Sequence, residues 1–490
     1  MESIILIAYF VSIFMLFSFG SHFFIMVYYY KKHKNDIPKA NNELEEFPKV
    51  TIQLPVFNEI YVVRRLLDAV CEIRYPNDKL EIQILDDSTD ETVQEIAKIV
   101  EEKLALGFDF VHVHRTNRQG YKAGALKEGL AISKGEYIAI FDADFVPQPD
   151  FLEKTLPHFN NNNIGMVQTR WEHLNEEYSI LTKAQAFALD AHFVLEQSVR
   201  NRAGFFMAFN GTGGIWKKEC IIDAGNWQAD TLTEDLDLSY RAQLKGWKFV
   251  FLKDVTSPAE LPSEINSLKA QQYRWTKGYI ETAKKLLPVV WKSDLPLKKK
   301  LLCSLHLSSN FVFPFILLSG ILNVPLVYIK QTGNHDNYFA FMSIFIITFI
   351  GSFLFYLYSQ KDIYANDWKK RIYLFPLFLS GNMGLAFNNA KAVIAGIFNK
   401  KSEFVRTPKF SLIDKNGTWR NKKYVKSKIS YSVFFELALS IYSLFGIIMS
   451  LYFIEISAVP FQLLFFVGFG FISIMSIKNL FINRKEKENL

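Results

Sequence analysis

Five long apolar runs around one water-facing stretch set the outer limits on what this chain can become. Residues 4 to 30 are almost uncharged, long enough to cross a hydrocarbon core that needs roughly 20 apolar residues, and Lys31-Lys32-His33-Lys34 follow at once. A cleaved signal would carry its positive charge first, with a shorter apolar core, so this segment is expected to stay as an anchor. Further runs span about 301 to 329, 338 to 359, 429 to 454 and 458 to 477. Half of the residues are apolar and 46 are phenylalanine, more than one soluble core uses. The loops at 330 to 337 and 455 to 460 are poor in positive charge, whereas Lys400 to Lys428 holds ten Lys or Arg against Glu403 and Asp414. The positive-inside rule then puts the amino terminus outside, and residues 48 to 290 and the carboxy terminus in the cytosol of a multi-pass protein of the plasma or inner membrane.

Arg371 to Asn399 is apolar enough to enter a membrane, but both flanks are basic and belong on one side. About 29 residues cannot cross twice, so it is expected to lie at the interface or re-enter. These patterns divide the chain into an anchor and linker (1–47), a catalytic domain with interface helices (48–290) and a carboxy-terminal membrane domain of four spans (291–490). The net charge of +7 follows from this orientation, with no need of a nucleic-acid partner. Cys71, Cys220 and Cys303 have no metal or disulfide spacing.

Between 48 and 290 the chain alternates strand-like and helix-like runs. Val50 to Leu54 breaks at Pro55 into Val56-Phe57-Asn58-Glu59, and Glu81 to Leu85 ends in Asp86-Asp87 before a helical pattern. Such alternation predicts an α/β domain with a mostly parallel sheet, whose ligands collect at the carboxyl ends of the strands. Asp86 and Asp87 stand at such an end, where they serve either as ligand contacts or as a helix cap. Arg115 to Leu126 combines glycines with Lys122, a composition suited to a diphosphate. Next comes the apolar strand Tyr137 to Phe141 and then Asp142-Ala143-Asp144. On an extended backbone the two aspartates share a side and offer hard oxygen ligands to a divalent ion, Mg2+ or Mn2+. His112 and His114 alternate on a strand and are taken as structural.

Leu232 to Leu238 carries Thr233-Glu234-Asp235. Partial burial there would raise the Asp235 pKa to a value useful for a base, although acids at a helix start also complement its dipole. Gln271, Arg274 and Trp275 recur at helical spacing and share one face. An aromatic ring beside an amide and a guanidinium suits a sugar face and an anionic diphosphate.

Together these four signatures, with Phe209 to Gly214 and Glu260-Leu261-Pro262, resemble the inverting, membrane-bound family 2 glycosyltransferases, in particular the cellulose-synthase-like group that includes β-mannan and glucomannan synthases. The resemblance implies a GT-A-like catalytic domain beside an α-helical membrane domain. It also implies a UDP- or GDP-hexose donor, a polysaccharide acceptor and contact with membrane lipids. By position, Asn58 and Glu59 would meet the base, Asp86 and Asp87 the nucleoside, Lys122 and Arg274 the diphosphate, and Asp142 and Asp144 the donor and metal. Asp235 would be the general base. Phe209, Asn210, Gly211, Thr212, Glu234, Gln271 and Trp275 would adjoin the acceptor. A gating loop at 400 to 410 is matched at Phe404, Thr407 and Lys409, with Arg406 where the family pattern has Val. Transfer of one sugar to a membrane lipid, as by ceramide glucosyltransferase, is the alternative. UDP versus GDP and glucose versus mannose stay open.

Overall fold

The computed structural model describes the chain except for Met1, residues 41–45, Asn160, Asn334, 401–405, 414–416, Asn421, 426–429 and 488–490, and describes no side chains from 480 onward. Phe404 thus lies outside the described residues. Among the described residues a seven-stranded mixed sheet organises the part between residues 50 and 259, in the order β3-β2-β1-β4-β6-β5-β7. Its strands are β1 (Val50–Val56), β2 (Leu80–Asp86), β3 (Asp109–His114), β4 (Tyr137–Ile140), β5 (Ile164–His173), β6 (Gly214–Lys217) and β7 (Lys248–Ala259). β1 runs parallel to β2 and β4, β2 to β3, and β5 to β7, while β6 is antiparallel to both of its neighbours. Helices Val63–Cys71 and Thr92–Ala105 lie on one face, and Tyr121–Ile132 on the other. The first two meet Ile52, Leu54, Ile82 and Ile84 and the third meets Leu85, Ile138 and Ile140, the pattern expected when both faces of a parallel sheet are covered.

Among the described residues five helices are long and apolar enough to cross a membrane: Glu2–His33, Ser309–Thr332, Asp336–Ile363, Ser432–Tyr452 and Ile456–Asn479. The second begins later than position 301 because Leu297–Leu307, which carries Lys298, Lys299 and Lys300, forms a separate helix before Ser308 and Ser309. Phe375–Ile397 is a helix outside this set of spans, and it packs on the long helix Ile265–Lys292 and on the last span. Glu264 caps the 265–292 helix by accepting from Asn266 and Ser267 N–H at 3.0 and 2.8 Å, and also accepts from Asn479 Nδ2 at 2.8 Å. Lys269 on the same helix pairs with Glu436 Oε1 at 2.6 Å, both buried. The helix bearing Arg274 and Trp275 is therefore fixed to the last two apolar helices.

Candidate active site

The carboxyl ends of β1, β2 and β4 converge on a crevice, and each delivers an acidic group. Asp142 and Asp144 follow β4, but not on extended backbone: the chain turns, and Phe145 N–H donates to Asp142 O at 3.0 Å. The shared side expected from alternation is therefore replaced by two separate attachments. Asp142 Oδ1 lies 2.5 Å from Lys122 Nζ, and Asp144 Oδ2 lies 2.6 Å from Lys409 Nζ. Lys122 Nζ also donates to Gly211 O at 2.8 Å, which brings the 209–212 segment against the same lysine. Gly124 lets the preceding loop fold tightly onto the helix that carries Lys122, since a Cβ there would stand 1.9 Å from Gln119 O.

Asp86 and Asp87 are both buried and already engaged. Asp86 accepts from Ser88 N–H at 2.8 Å and lies 3.0 Å from His112 Nε2, while Arg115 holds Asp87 in a two-point pair at 2.7 Å. Arg115 also donates to the Gln119 and Tyr121 carbonyls. These acids thus shape the loop that presents Lys122. His114 lies 3.1 Å from Ser88 O, the structural role expected of that pair. Asn58, at φ 55°, accepts from Thr89 N–H at 2.8 Å and joins the β1 and β2 ends. Glu59 pairs with Arg406 at 2.6 Å, and burial pushes its carboxyl up to about 7 against the opposing pull of Arg406. Arg406 in turn lies over the Tyr424 ring, 4.0 Å from its centroid. Thr407 and Lys409 are buried against the sheet domain, and Phe410 N–H donates to Glu260 Oε1 at 2.9 Å.

Asp235 occupies the first turn of helix Glu234–Leu244. Thr233 just before it exchanges a hydroxyl hydrogen bond with Thr282 at 3.0 Å, and Gly278 leaves room for that contact: a Cβ would meet Thr233 Cγ2 at 2.6 Å. This close approach unites Asp235 and Glu234 with Arg274 and Trp275, forty residues away in sequence. Removal from water, then the charge of Glu234, raises the Asp235 carboxyl to about 7, with Lys122 opposing. Glu234 is also raised by burial, whereas burial lowers Arg274 against the attraction of Glu234, Asp142 and Asp235.

Asp235, Phe209, Asn210 and Trp275 line one cavity of about 970 Å³. It continues between the membrane helices past Phe313 and Asn323 to Lys330 and Glu455, which pair with each other. Gln272 also lines this space, a residue sequence reasoning passed over in favour of Gln271. Trp171, His192 and Glu196 were missed as well. Trp171 lies on β5, and the irregular stretch Ala191–Gln197, a π-helix, offered no motif to flag His192 and Glu196.

Residues 48–278 match the model described as glycosyltransferase like family 2. Among curated relatives, glucomannan 4-beta-mannosyltransferase 1 of Oryza sativa subsp. japonica is 43% identical over 283 residues, covering 56% of this chain and 54% of its own. Glucomannan 4-beta-mannosyltransferase 2 of Arabidopsis thaliana is 42% identical over 264 residues, covering 52% and 49%. The chain spans about half the length of the curated relatives it matches. A solved mannosyltransferase from Pyrobaculum calidifontis, in complex with GDP-Man and Mn2+, shares the fold: the TM-score is 0.57 at 18% identity, over 82% of this chain and 100% of that one.

Proposed function

We propose that the protein is an inverting, membrane-bound hexosyltransferase that extends a β-linked glycan from a nucleoside diphosphate sugar. The observation carrying this reading is Asp235: a carboxyl raised to about 7 on the wall of a cavity that also holds Trp275 and runs on between the membrane helices. A base is most useful when its pKa lies near the working pH. In one displacement the acceptor hydroxyl attacks the anomeric carbon while Asp235 takes its proton, and the bond to the diphosphate breaks. A single base and a neutralised leaving group suffice, with no covalent nucleophile. Lys122 and Arg274 stand close enough to the acidic cluster to offset the charge of that leaving group.

A divalent cation fits the Asp142 and Asp144 pair on chemistry: the donors are hard oxygens, and each carboxylate already attracts a cationic partner. Among the described residues no group of three or more His, Cys, Asp or Glu is arranged to hold a metal, so donor phosphates would complete the shell. When bound there, the ion would act as a Lewis acid on the leaving diphosphate. The names of the relatives favour mannose, and GDP-Man with Mn2+, present in the archaeal structure, is the donor and cation pair to test first.

The division into anchor (1–47), catalytic domain (48–290) and carboxy-terminal membrane domain (291–490) belongs to the same proposal, as do the site roles and the cytosolic placement of the catalytic side. Purified protein in lipid, given a panel of radiolabelled GDP- and UDP-hexoses, tests it. Precipitable glycan from one donor supports the reading, and label found only in lipid extracts favours single-sugar transfer.

A further inference from the structure

Behind the Asp235 end of the cavity lies a cluster that the proposed chemistry does not use. Glu196 sits in the π-helical stretch Ala191–Gln197, an irregularity frequent at functional sites. Its Oε2 is 3.2 Å from His192 Nδ1, and its Oε1 is 3.0 Å from Arg200 Nε and 3.4 Å from His22 Nε2. His22 belongs to the first apolar span, where an ionisable side chain is costly and marks function by default. Its Nδ1 is buried without a hydrogen-bond partner, and so is Gln197 Oε1. His22, His192 and Glu196 all line the cavity that holds Asp235 and Trp275.

The network fixes its own polarity. Gln197 Nε2 donates to Asn210 Oδ1 at 2.5 Å, which turns Asn210 Nδ2 toward His192 Nε2 at 3.1 Å. His192 is thereby set to accept at Nε2 and to donate from Nδ1 to Glu196. Burial opposes ionisation of Glu196, but Arg200, His192 and His22 outweigh it and hold the carboxyl well below the usual range. It therefore stays an acceptor for donated hydrogens. Asn210 adjoins Gly211, whose Cβ would stand 3.0 Å from Asp235 Oδ2. The step from Asp235 to His192 passes through an amide, which does not carry protons, so the arrangement suits gripping hydroxyls rather than relaying charge.

We propose that Glu196 and His22, held in place by His192, form a polar collar that grips hydroxyls of the acceptor glycan behind the sugar that Asp235 activates. They are positioning residues, and His22 brings the first membrane helix into acceptor recognition. The inference rests on the proposed glycan-extending activity.

The test uses the full chain in lipid nanodiscs with GDP-[14C]mannose and a β-1,4-linked mannohexaose primer, comparing wild type with His22→Ala, His22→Asn and His192→Ala. Loss of one collar hydrogen bond should raise the primer KM about tenfold and shorten the products, with the donor KM unchanged. His22→Asn, which keeps a neutral hydrogen-bonding group, should restore much of the primer affinity. A general folding defect would instead move both KM values or the active fraction, and Asn would not rescue it. Wild-type extension with primer KM and product length unaltered in both alanine variants overturns the collar alone. Wild type that labels only lipid overturns the collar and the proposed function together.

Discussion

Asp235→Asn should remove the base while leaving the fold and the donor pocket in place, because the amide keeps the shape that accepts the Leu236 N–H at 2.8 Å. The Asp235 carboxyl is lifted to about 7, first by burial and then by Glu234. A raised acid is protonated below that pH, and only the ionised form accepts a proton. Wild-type kcat/KM should therefore fall by roughly tenfold for each pH step below about 7, rather than below about 4 as for an ordinary carboxylate. In the Asn variant turnover should drop by about 10² to 10⁴ and the acid limb near 7 should vanish. The assay is initial-rate transfer of radiolabelled sugar from pH 5 to 9, with nucleotide affinity measured by calorimetry on the same samples. Near-native turnover in the variant, or a wild-type profile that stays flat down to pH 5, would refute the assignment and move attention to Glu234.

Further outcomes follow from other contacts. Stripping divalent ions with chelator should abolish transfer and Mn2+ or Mg2+ should restore it; full turnover in protein shown to be metal-free by elemental analysis would remove the ion from the mechanism. Gly124→Ala forces a Cβ to 1.9 Å from Gln119 O, displacing the helix that carries Lys122, and should lower kcat by roughly 10², read in donor-saturated initial rates. Glu436→Gln leaves Lys269 as a buried uncompensated charge, costing about 3 to 5 kcal/mol and lowering the thermal transition in lipid, while the double change Lys269→Met with Glu436→Leu should regain much of it. Trp275→Ala should raise the acceptor KM with little change in nucleotide affinity, since the indole shares the cavity of Asp235; a collapse of nucleotide binding by calorimetry would contradict that role.

What sequence reasoning could reach followed from local periodicity. The strand and helix alternation from Val50 to Ala105, the number of long apolar helices and the separate character of the 375–397 helix are all repeated or compositional signals. The turn at Asp142 to Phe145 was hidden, because the strand itself ends at Ile140 while the apolar pattern runs on through Phe141. The antiparallel placement of four-residue β6 depends on partners far along the chain, and nothing within Gly214 to Lys217 announces it. The contacts of Asp86 with His112 and of Asp87 with Arg115, which come from a neighbouring strand and its loop, were not legible in the sequence either. The His22 and Glu196 contact joins positions 174 residues apart and was beyond any local pattern.

The most direct measurement of the central claim is the fate of the sugar. Full-length protein in nanodiscs, incubated with GDP-[14C]mannose and Mn2+, should yield label in ethanol-precipitable material that an endo-β-mannanase releases as short oligosaccharides, and Asp235→Asn should yield almost none. Label recovered wholly in the organic phase, or equal polymer from the Asp235→Asn variant, would contradict glycan extension through Asp235.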